Sequence, residues 1–289
     1  MKLLESNFSR RLIVTVFGIP LILAIIIAGS LPLYLFINLI VLISLFEIKK
    51  LLNNSNVQLS PYLFVPLTIG IIYLITNGEG YVRNSIFITS IIFIGIAAAV
   101  LTNKLSPSQQ SKLENRLQIK LIDVYHPIKN FLITFSAILI ISVPLSYGIL
   151  LKQLPLGTEL LLTTIFGIFA FDTGAYVFGT ILGKNKMAPL ISPGKTWEGA
   201  IFGTVTSLAT VFAFNSILGV GLNPLITIIL GTIIVLLGQS GDLLESYFKR
   251  KMKSKDSGRL LPGHGGVLDR IDSIVIVLPA VYYWLLLWV

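Results

Sequence analysis

A polar segment near the C-terminal end of the chain carries the side chains best suited to phosphate chemistry. It runs from Ser246 to Asp272 and contains ten charged residues, although long apolar runs lie on both sides of it. Lysine and arginine bind phosphates through charge and hydrogen bonds, and carboxylates bind divalent cations. The glycine-rich run 263–266 allows backbone to approach a ligand closely. These residue types predict chemistry on a charged substrate at the surface of a bilayer.

Acidic residues also lie within or at the end of two apolar runs. Asp172 occupies the middle of one run, where a carboxylate is costly unless it is paired, protonated or facing water. Asp242 lies toward the end of another, and the three-residue spacing places it on one helix face with Gln239 and Glu245. The alternative for Asp172 is a protonated or paired carboxylate that serves packing alone. The alternative for Asp242 is an ordinary polar helix end. We predict functional roles for Asp172 and Asp242.

A third polar segment, residues 183–198, contains the sequence Ser-Pro-Gly-Lys-Thr at 192–196. It lacks the GxxxxGK[ST] spacing and the preceding strand of a phosphate-binding P-loop, so we exclude that motif. Lys195 can still bind phosphate as a point charge, and Ser192 and Thr196 can do so through their hydroxyl groups.

The composition is that of an integral membrane protein. The 289 residues are 54% hydrophobic and 12% charged, with a mean hydropathy of +0.87, whereas soluble domains carry about 25% charged residues. The absence of cysteine from the sequence excludes disulfides and thiolate ligands. The two histidines form no HExxH pattern, which disfavours a zinc hydrolase. The net charge of +9 indicates anionic partners, but no recognised nucleic-acid module is visible, so we predict no nucleic acid.

Apolar runs of about 17–25 residues are long enough to cross a bilayer as helices. We predict an all-α, polytopic integral membrane protein with about nine transmembrane helices, its N-terminus inside and its C-terminus outside. This topology places 20 of the 22 Lys and Arg residues on the cytoplasmic side, as the positive-inside rule requires. The predicted spans cover roughly 12–29, 31–48, 61–76, 85–102, 130–151, 159–182, 199–219, 223–245 and 273–289.

The predicted organisation has two parts. Residues 1–155 contain helices 1–5 and a cytoplasmic segment near 104–129, which is either an amphipathic surface helix or a solvated linker. Residues 156–289 contain helices 6–9 and form the catalytic region, with motif loops at 183–198 and 246–272. Small residues four positions apart, at 170 and 174 and at 199 and 203, predict close helix packing in this region.

The C-terminal polar segment resembles the signature of the phosphatidate cytidylyltransferase (CDP-diacylglycerol synthase) family. Upstream elements at 172–176, 192–196 and 241–246 resemble further motifs of that family, so the resemblance covers roughly residues 165–272. The matching signature positions are Ser246, Phe248, Lys249, Arg250, Lys255, Asp256, Gly258, Leu261, Pro262, His264, Gly265, Gly266, Val267, Asp269, Arg270, Ile271 and Asp272.

The resemblance implies transfer of CMP from CTP to phosphatidate, giving CDP-diacylglycerol and pyrophosphate in phospholipid biosynthesis. Because the lipid phosphate is already anionic, the difficulty is electrostatic: two polyanions must meet and the leaving pyrophosphate gains charge. The resemblance also implies Mg²⁺, leaves room for a second cation, and suggests a homodimer. The expected location is the cell membrane, with the active site facing the cytoplasm.

Residue types and resemblance together give the candidate site. Lys251 and Lys253 fall at variable positions of the signature and are interpreted as topological charges. The predicted catalytic residues are Asp242, Asp269, Lys255 and Arg270, and the predicted metal ligands are Asp242, Asp269 and Asp272. The predicted substrate-binding residues are Ser192, Lys195, Thr196, Lys249, Arg250, Arg259, His264, Gly265, Gly266 and Asp172.

Two other functions use the same residue types. A membrane CTP-dependent kinase of a polyprenol or phytol would transfer the γ-phosphoryl group and release CDP instead of pyrophosphate. An ion-coupled transporter could use Asp172 and Asp242 along an ion path between glycine-interrupted helices. The intact C-terminal signature favours the cytidylyltransferase.

Overall fold

The computed structural model describes residues 16–52, 59–102, 121–258, 260 and 265–288. Within these ranges the chain is largely helical. The helices are α1 (Val16–Ala28), α2 (Ser30–Leu52), α3 (Phe64–Asn77), α4 (Gly80–Thr102), α5 (Leu121–Gln153), α6 (Gly157–Ile181), α7 (Trp197–Ile217), α8 (Pro224–Lys251) and α9 (Leu268–Leu285), with a 3₁₀ turn at Pro61–Leu63.

Among the described residues, five helices are long and apolar enough to cross a membrane: α2, α5, α6, α7 and α8. Three further apolar stretches are shorter, at Val16–Ala28, Pro61–Asn77 and Gly80–Ile94. The polytopic, predominantly helical membrane architecture is therefore confirmed. The number of nine spans and the orientation of the chain stay predictions.

The segment between α6 and α7 forms a two-stranded antiparallel hairpin, which the sequence analysis did not predict. Strand β1 (Lys186–Ala188) pairs with β2 (Ser192–Thr196), with Lys186 opposite Thr196 and Ala188 opposite Ser192. The Glu198 carboxylate accepts hydrogen bonds from the backbone N–H groups of Lys184 and Asn185 and so closes the base of the hairpin. Strands this short leave too few residues for a recognisable alternation of polar and apolar positions.

Two predicted boundaries differ from the structure. Residues 246–251, placed in a motif loop by the sequence analysis, form the last turns of α8. A Glu245–Lys249 pair at i, i+4 and the basic residues of the last turn favour this extension, since cations stabilise a helix C-terminus. Of the predicted amphipathic segment near 104–129, residues 104–120 lie outside the described residues, and the chain from Leu121 belongs to α5.

Helix α5 is central to the bundle and packs against α2, α3, α4, α6 and α9. Its Tyr147 is fully buried, with its hydroxyl oxygen 2.8 Å from that of Tyr283 on α9. The buried apolar core contains residues from both sides of the division predicted near residue 155. That division into two parts stays a prediction.

Small residues bring α6 and α7 into close contact, as their spacing predicts. A methyl group on Gly174 would overlap the Thr206 side chain, and one on Gly203 would lie 2.9 Å from the Cβ atom of Ala175. The Ser207 hydroxyl donates to the Gly167 carbonyl oxygen at 2.8 Å. Such close packing allows side-chain hydroxyl groups of one helix to form hydrogen bonds with the other helix.

Candidate active site

Three carboxylates from three helices meet beside two basic side chains. Asp172 of α6, Asp242 of α8 and Asp272 of α9 lie close enough to interact electrostatically with one another. Arg270 acts on both Asp172 and Asp272, and Lys195 acts on Asp172. We call these five residues the polar cluster. Asp172 is exposed in the structure, although it lies within a predicted span.

A glycine contact brings Asp242 and Asp272 together. A Cβ atom on Gly241 would lie 2.5 Å from the backbone carbonyl oxygen of Asp272, so α8 and α9 can touch only if position 241 has no side chain. The next residue of α8 is Asp242. Close packing of the two helices therefore places two predicted metal ligands side by side.

The hairpin supplies the basic partner of Asp242. Lys195 of β2 places its Nζ atom 2.8 Å from Asp242 Oδ2, and both side chains are partly buried. The Ser246 hydroxyl donates to Asp242 Oδ1 at 3.3 Å, one turn further along α8. Since water is partly excluded, the ion pair is stronger than a pair on an open surface.

A second group of charges surrounds the buried Lys249. Its Nζ atom lies 2.5 Å from Glu245 Oε2 and 2.7 Å from Asp269 Oδ1. Asp269 also accepts from the backbone N–H groups of Ser257 at 3.1 Å and Gly266 at 2.7 Å. Asp269 precedes the apolar part of α9. Burial raises the pKa of Asp269, but the hydrogen bonds from Lys249 and Gly266 outweigh it and hold the pKa below its ordinary value.

A residue of the N-terminal half also reaches this region. Glu47 of α2, 8% exposed, accepts hydrogen bonds from the Ser257 hydroxyl at 3.0 Å and from the backbone N–H groups of Val267 at 3.0 Å and Leu268 at 2.8 Å. The sequence analysis assigned no role to Glu47. The signal that could have found it is the one used for Asp172, a carboxylate within a predicted span.

The signature glycines fit around these two carboxylates. Gly265 has a φ of +84°, and a Cβ atom there would lie 2.5 Å from Asp269 Oδ2. A Cβ atom on Gly266 would lie 2.5 Å from Glu47 Oε2. The positions predicted to bind substrate through glycine backbone therefore also have a structural reason to lack side chains.

Several predicted substrate-binding residues make local contacts instead of joining the polar cluster. The buried Thr196 hydroxyl caps α7 by accepting from the Gly199 N–H at 3.2 Å. Arg250 donates from Nε to the Ile191 carbonyl oxygen at 3.2 Å, which ties the hairpin to the end of α8. Ser192 begins β2. Arg259 and His264 lie outside the described residues.

Lys255 faces a separate polar cavity of about 610 Å³. Lys50 of α2 and Lys253 also line this cavity, and the described residues that line it include no member of the polar cluster. The catalytic role predicted for Lys255 stays a prediction.

The predicted metal ligands are the carboxylates of Asp242, Asp269 and Asp272. Within the described part of the chain, no group of three or more His, Asp or Glu residues is arranged to hold a metal ion. Mg²⁺ commonly takes one or two carboxylates together with substrate phosphates and water, which suits the adjacent Asp242 and Asp272. Asp269 is already hydrogen-bonded by the Lys249 side chain and by the backbone N–H groups of Ser257 and Gly266.

Comparison with known proteins agrees with the motifs. A sequence profile described as "Cytidylyltransferase family" matches residues 9–288. The chain belongs to this family. The match thus covers nearly the whole chain, including residues 9–160, where the sequence analysis found spans but no motif.

Curated relatives extend the comparison. A phosphatidate cytidylyltransferase from Staphylococcus haemolyticus is 34% identical over 274 residues, which covers 93% of this chain and 95% of the relative. A phosphatidate cytidylyltransferase from Staphylococcus aureus is 47% identical over 123 residues, which covers 43% of this chain and 47% of the relative. The corresponding match to the Staphylococcus saprophyticus protein of the same name is 44% identical over 123 residues, with the same two shares.

Proposed function

We propose that this chain transfers CMP from CTP to phosphatidate, giving CDP-diacylglycerol and pyrophosphate. The family match over residues 9–288 and the names of the relatives support this reaction. The structural observation that carries it is the polar cluster, in which acidic and basic side chains from α6, α8, α9 and the hairpin converge beside apolar helices. Such a site can receive a water-soluble nucleotide and a lipid headgroup together.

The chemistry places modest demands on acid–base groups. A phosphate oxygen of phosphatidate forms a bond to the α-phosphorus of CTP, while the bond from that phosphorus to the bridging oxygen breaks and pyrophosphate leaves. The attacking oxygen already carries charge, so no side chain needs to remove a proton. We assign Lys195 and Arg270, which act electrostatically on Asp172, to reduce the repulsion between the two polyanions. We assign Lys249, Arg250, Lys255 and Arg259 to phosphate binding as further cations.

We propose that Mg²⁺ is the cofactor, held by Asp242 and Asp272, with Asp269 as the third candidate ligand. A bound magnesium ion would supply positive charge to the polyphosphate. A second cation is compatible with the number of acidic groups. Ser192, Thr196, His264, Gly265, Gly266 and Asp172 complete the proposed binding residues.

We also propose the finer topology of nine spans, with the N-terminus inside and the C-terminus outside. The excess of Lys and Arg on one side supports this orientation, in which the polar cluster would face the cytoplasm. The bacterial origin of the relatives supports a location in the cell membrane. The resemblance to the family suggests that the enzyme is a homodimer.

A product assay tests the reaction. Purified protein in detergent micelles is given phosphatidate, Mg²⁺ and CTP labelled at the α-phosphate, with an EDTA control. We expect the label to enter the lipid phase, pyrophosphate to be released, and EDTA to abolish both. Label that remains aqueous as CDP would instead identify a lipid kinase. Unchanged CTP would contradict both enzymes and direct attention to substrate-driven ion flux in liposomes.

A further inference from the structure

We propose that Glu47 is a positioning residue that fixes the loop between α8 and α9 from outside the catalytic region. Its carboxylate contacts both ends of this loop: Ser257 near the start, and Val267 and Leu268 at the end. Residues 47 and 268 are far apart in sequence, so only the packing of α2 against α9 creates this arrangement.

Glu47 acts as the N-terminal cap of α9. The residue at the usual capping position, Val267, has no side chain able to accept a hydrogen bond. The first amide groups of a helix need acceptors from outside that helix. Both oxygens of Glu47 meet this need, one accepting from Val267 N–H and the other from Leu268 N–H. A negative charge at this end is also favoured by the helix dipole.

The pocket around Glu47 suits a carboxylate specifically. Glu47 is buried, and its hydrogen-bond partners in the described structure are two backbone amides and one hydroxyl group. A glutamine of the same length has one acceptor oxygen, and its amide nitrogen would face a donor. A Cβ atom on Gly258 or Gly266 would overlap a Glu47 oxygen. Two signature glycines therefore leave the space that Glu47 occupies.

The contacts of Glu47 continue directly to a candidate catalytic carboxylate. Ser257 donates its hydroxyl to Glu47 and its backbone N–H to Asp269. At the other end of the loop, the Gly266 N–H donates to Asp269 and the next amide, Val267, donates to Glu47. The two carboxylates thus hold the same two backbone segments. Loss of the Glu47 carboxylate would free both backbone segments. Asp269 and its partner Lys249 would then lose their fixed position.

The experiment uses the full-length protein in detergent with the substitution Glu47→Gln. We expect kcat/KM to fall about tenfold or more, the scale for losing charged buried hydrogen bonds, and the Mg²⁺ concentration for half-maximal activity to rise. A second readout needs no turnover. Trypsin should cleave faster after Lys251, Lys253 or Lys255, because the loop is released while the apolar bundle remains folded. Glu47→Asp, which keeps the charge but shortens the reach, should give an intermediate result.

Ser44→Ala is the matched control. Ser44 is also buried on α2, about one turn before Glu47, and its hydroxyl donates to the Ile40 carbonyl oxygen of its own helix. We expect wild-type kinetics and wild-type trypsin cleavage from it. In a double-mutant cycle, Glu47→Gln and Ser257→Ala should be non-additive because they share one hydrogen bond.

Two outcomes would overturn the proposal: wild-type kinetics and cleavage in Glu47→Gln, or a general loss of thermal stability without a change in Mg²⁺ requirement. The kinetic readout rests on the proposed function, whereas the trypsin readout does not. If the wild-type protein made no CDP-diacylglycerol, the proposed reaction would be wrong. The trypsin cleavage pattern would still decide the role of Glu47.

Discussion

Lys195 of the hairpin and Asp242 of α8 form an ion pair, with Nζ and Oδ2 2.8 Å apart. The pair joins a predicted phosphate-binding cation to a predicted metal-binding carboxylate, although 46 positions separate them in the chain. The hairpin projects from the α6–α7 connection and reaches the end of α8 through this contact and through Arg250. The hairpin is therefore part of the candidate active site.

Lys195→Met should lower kcat/KM by about 100-fold or more, the scale seen when one electrostatic donor is removed from an active site. The substitution removes a cation from a site for two polyanions and leaves Asp242 without its ion-pair partner. Steady-state assays with CTP and phosphatidate measure the effect. Lys184→Met is the control, because Lys184 contacts Glu198 through its backbone N–H and its side chain is exposed. Equal losses in the two variants would contradict a specific role for Lys195.

Asp269→Asn should nearly abolish turnover and leave membrane insertion intact. The change removes a candidate metal ligand and the negative partner of Lys249. Asp242→Asn and Asp272→Asn should raise the Mg²⁺ requirement, since carboxylates are preferred magnesium ligands. Activity measured across a Mg²⁺ titration distinguishes these effects. Wild-type rates in the Asp269 variant would show that Asp269 is not a required metal ligand, and an unchanged Mg²⁺ requirement in the other two variants would show that the metal assignment is wrong.

Lys251→Ala provides the control for the charged loop. Lys251 lies at the exposed end of α8, with Nζ 5.6 Å from the centre of the Tyr247 ring. An exposed contact of this kind is worth only about 0.5–1 kcal/mol, and the position is variable in the signature. We expect activity within about twofold of wild type. A collapse of activity would mean that Lys251 belongs to the substrate site.

Thr196→Val and Thr196→Ser separate capping from substrate binding. The Thr196 hydroxyl caps α7 through the Gly199 N–H, so valine should cost about 1 kcal/mol of stability, while serine keeps the acceptor. Thermal unfolding in detergent measures this difference. If serine and valine have equal stability, the cap contributes nothing. If valine loses activity at a temperature where it remains folded, the hydroxyl also binds substrate.

The proposed orientation can be tested with single cysteines, because the sequence contains none. Lys251→Cys should react with a membrane-impermeant maleimide only after the cytoplasmic face is opened. Glu79→Cys, at an exposed position between α3 and α4, should react in intact cells. Labelling in the reverse order would overturn the proposed topology while leaving the reaction untouched.

The apolar spans and the family motifs could be predicted from the sequence because each depends on a local stretch of chain. Transfer of an apolar segment into a bilayer depends mainly on that segment, so α2, α5, α6, α7 and α8 lie where apolar runs predict them. The cost of a carboxylate within such a run drew attention to Asp172 and Asp242 in the same way. The family assignment followed from fixed residue types at fixed spacing.

Only the tertiary structure decided which side chains meet. Lys249 contacts Asp269, Lys195 contacts Asp242, and Glu47 holds the loop before α9. These pairings depend on how closely helices approach. Helix α8 can pack against the Asp272 backbone of α9 because Gly241 has no side chain. The sequence alone identified a membrane protein of the cytidylyltransferase family and the charged residues of its candidate site. Helix packing decided their partners, because a hydrogen bond depends on distances in space that residue spacing does not specify.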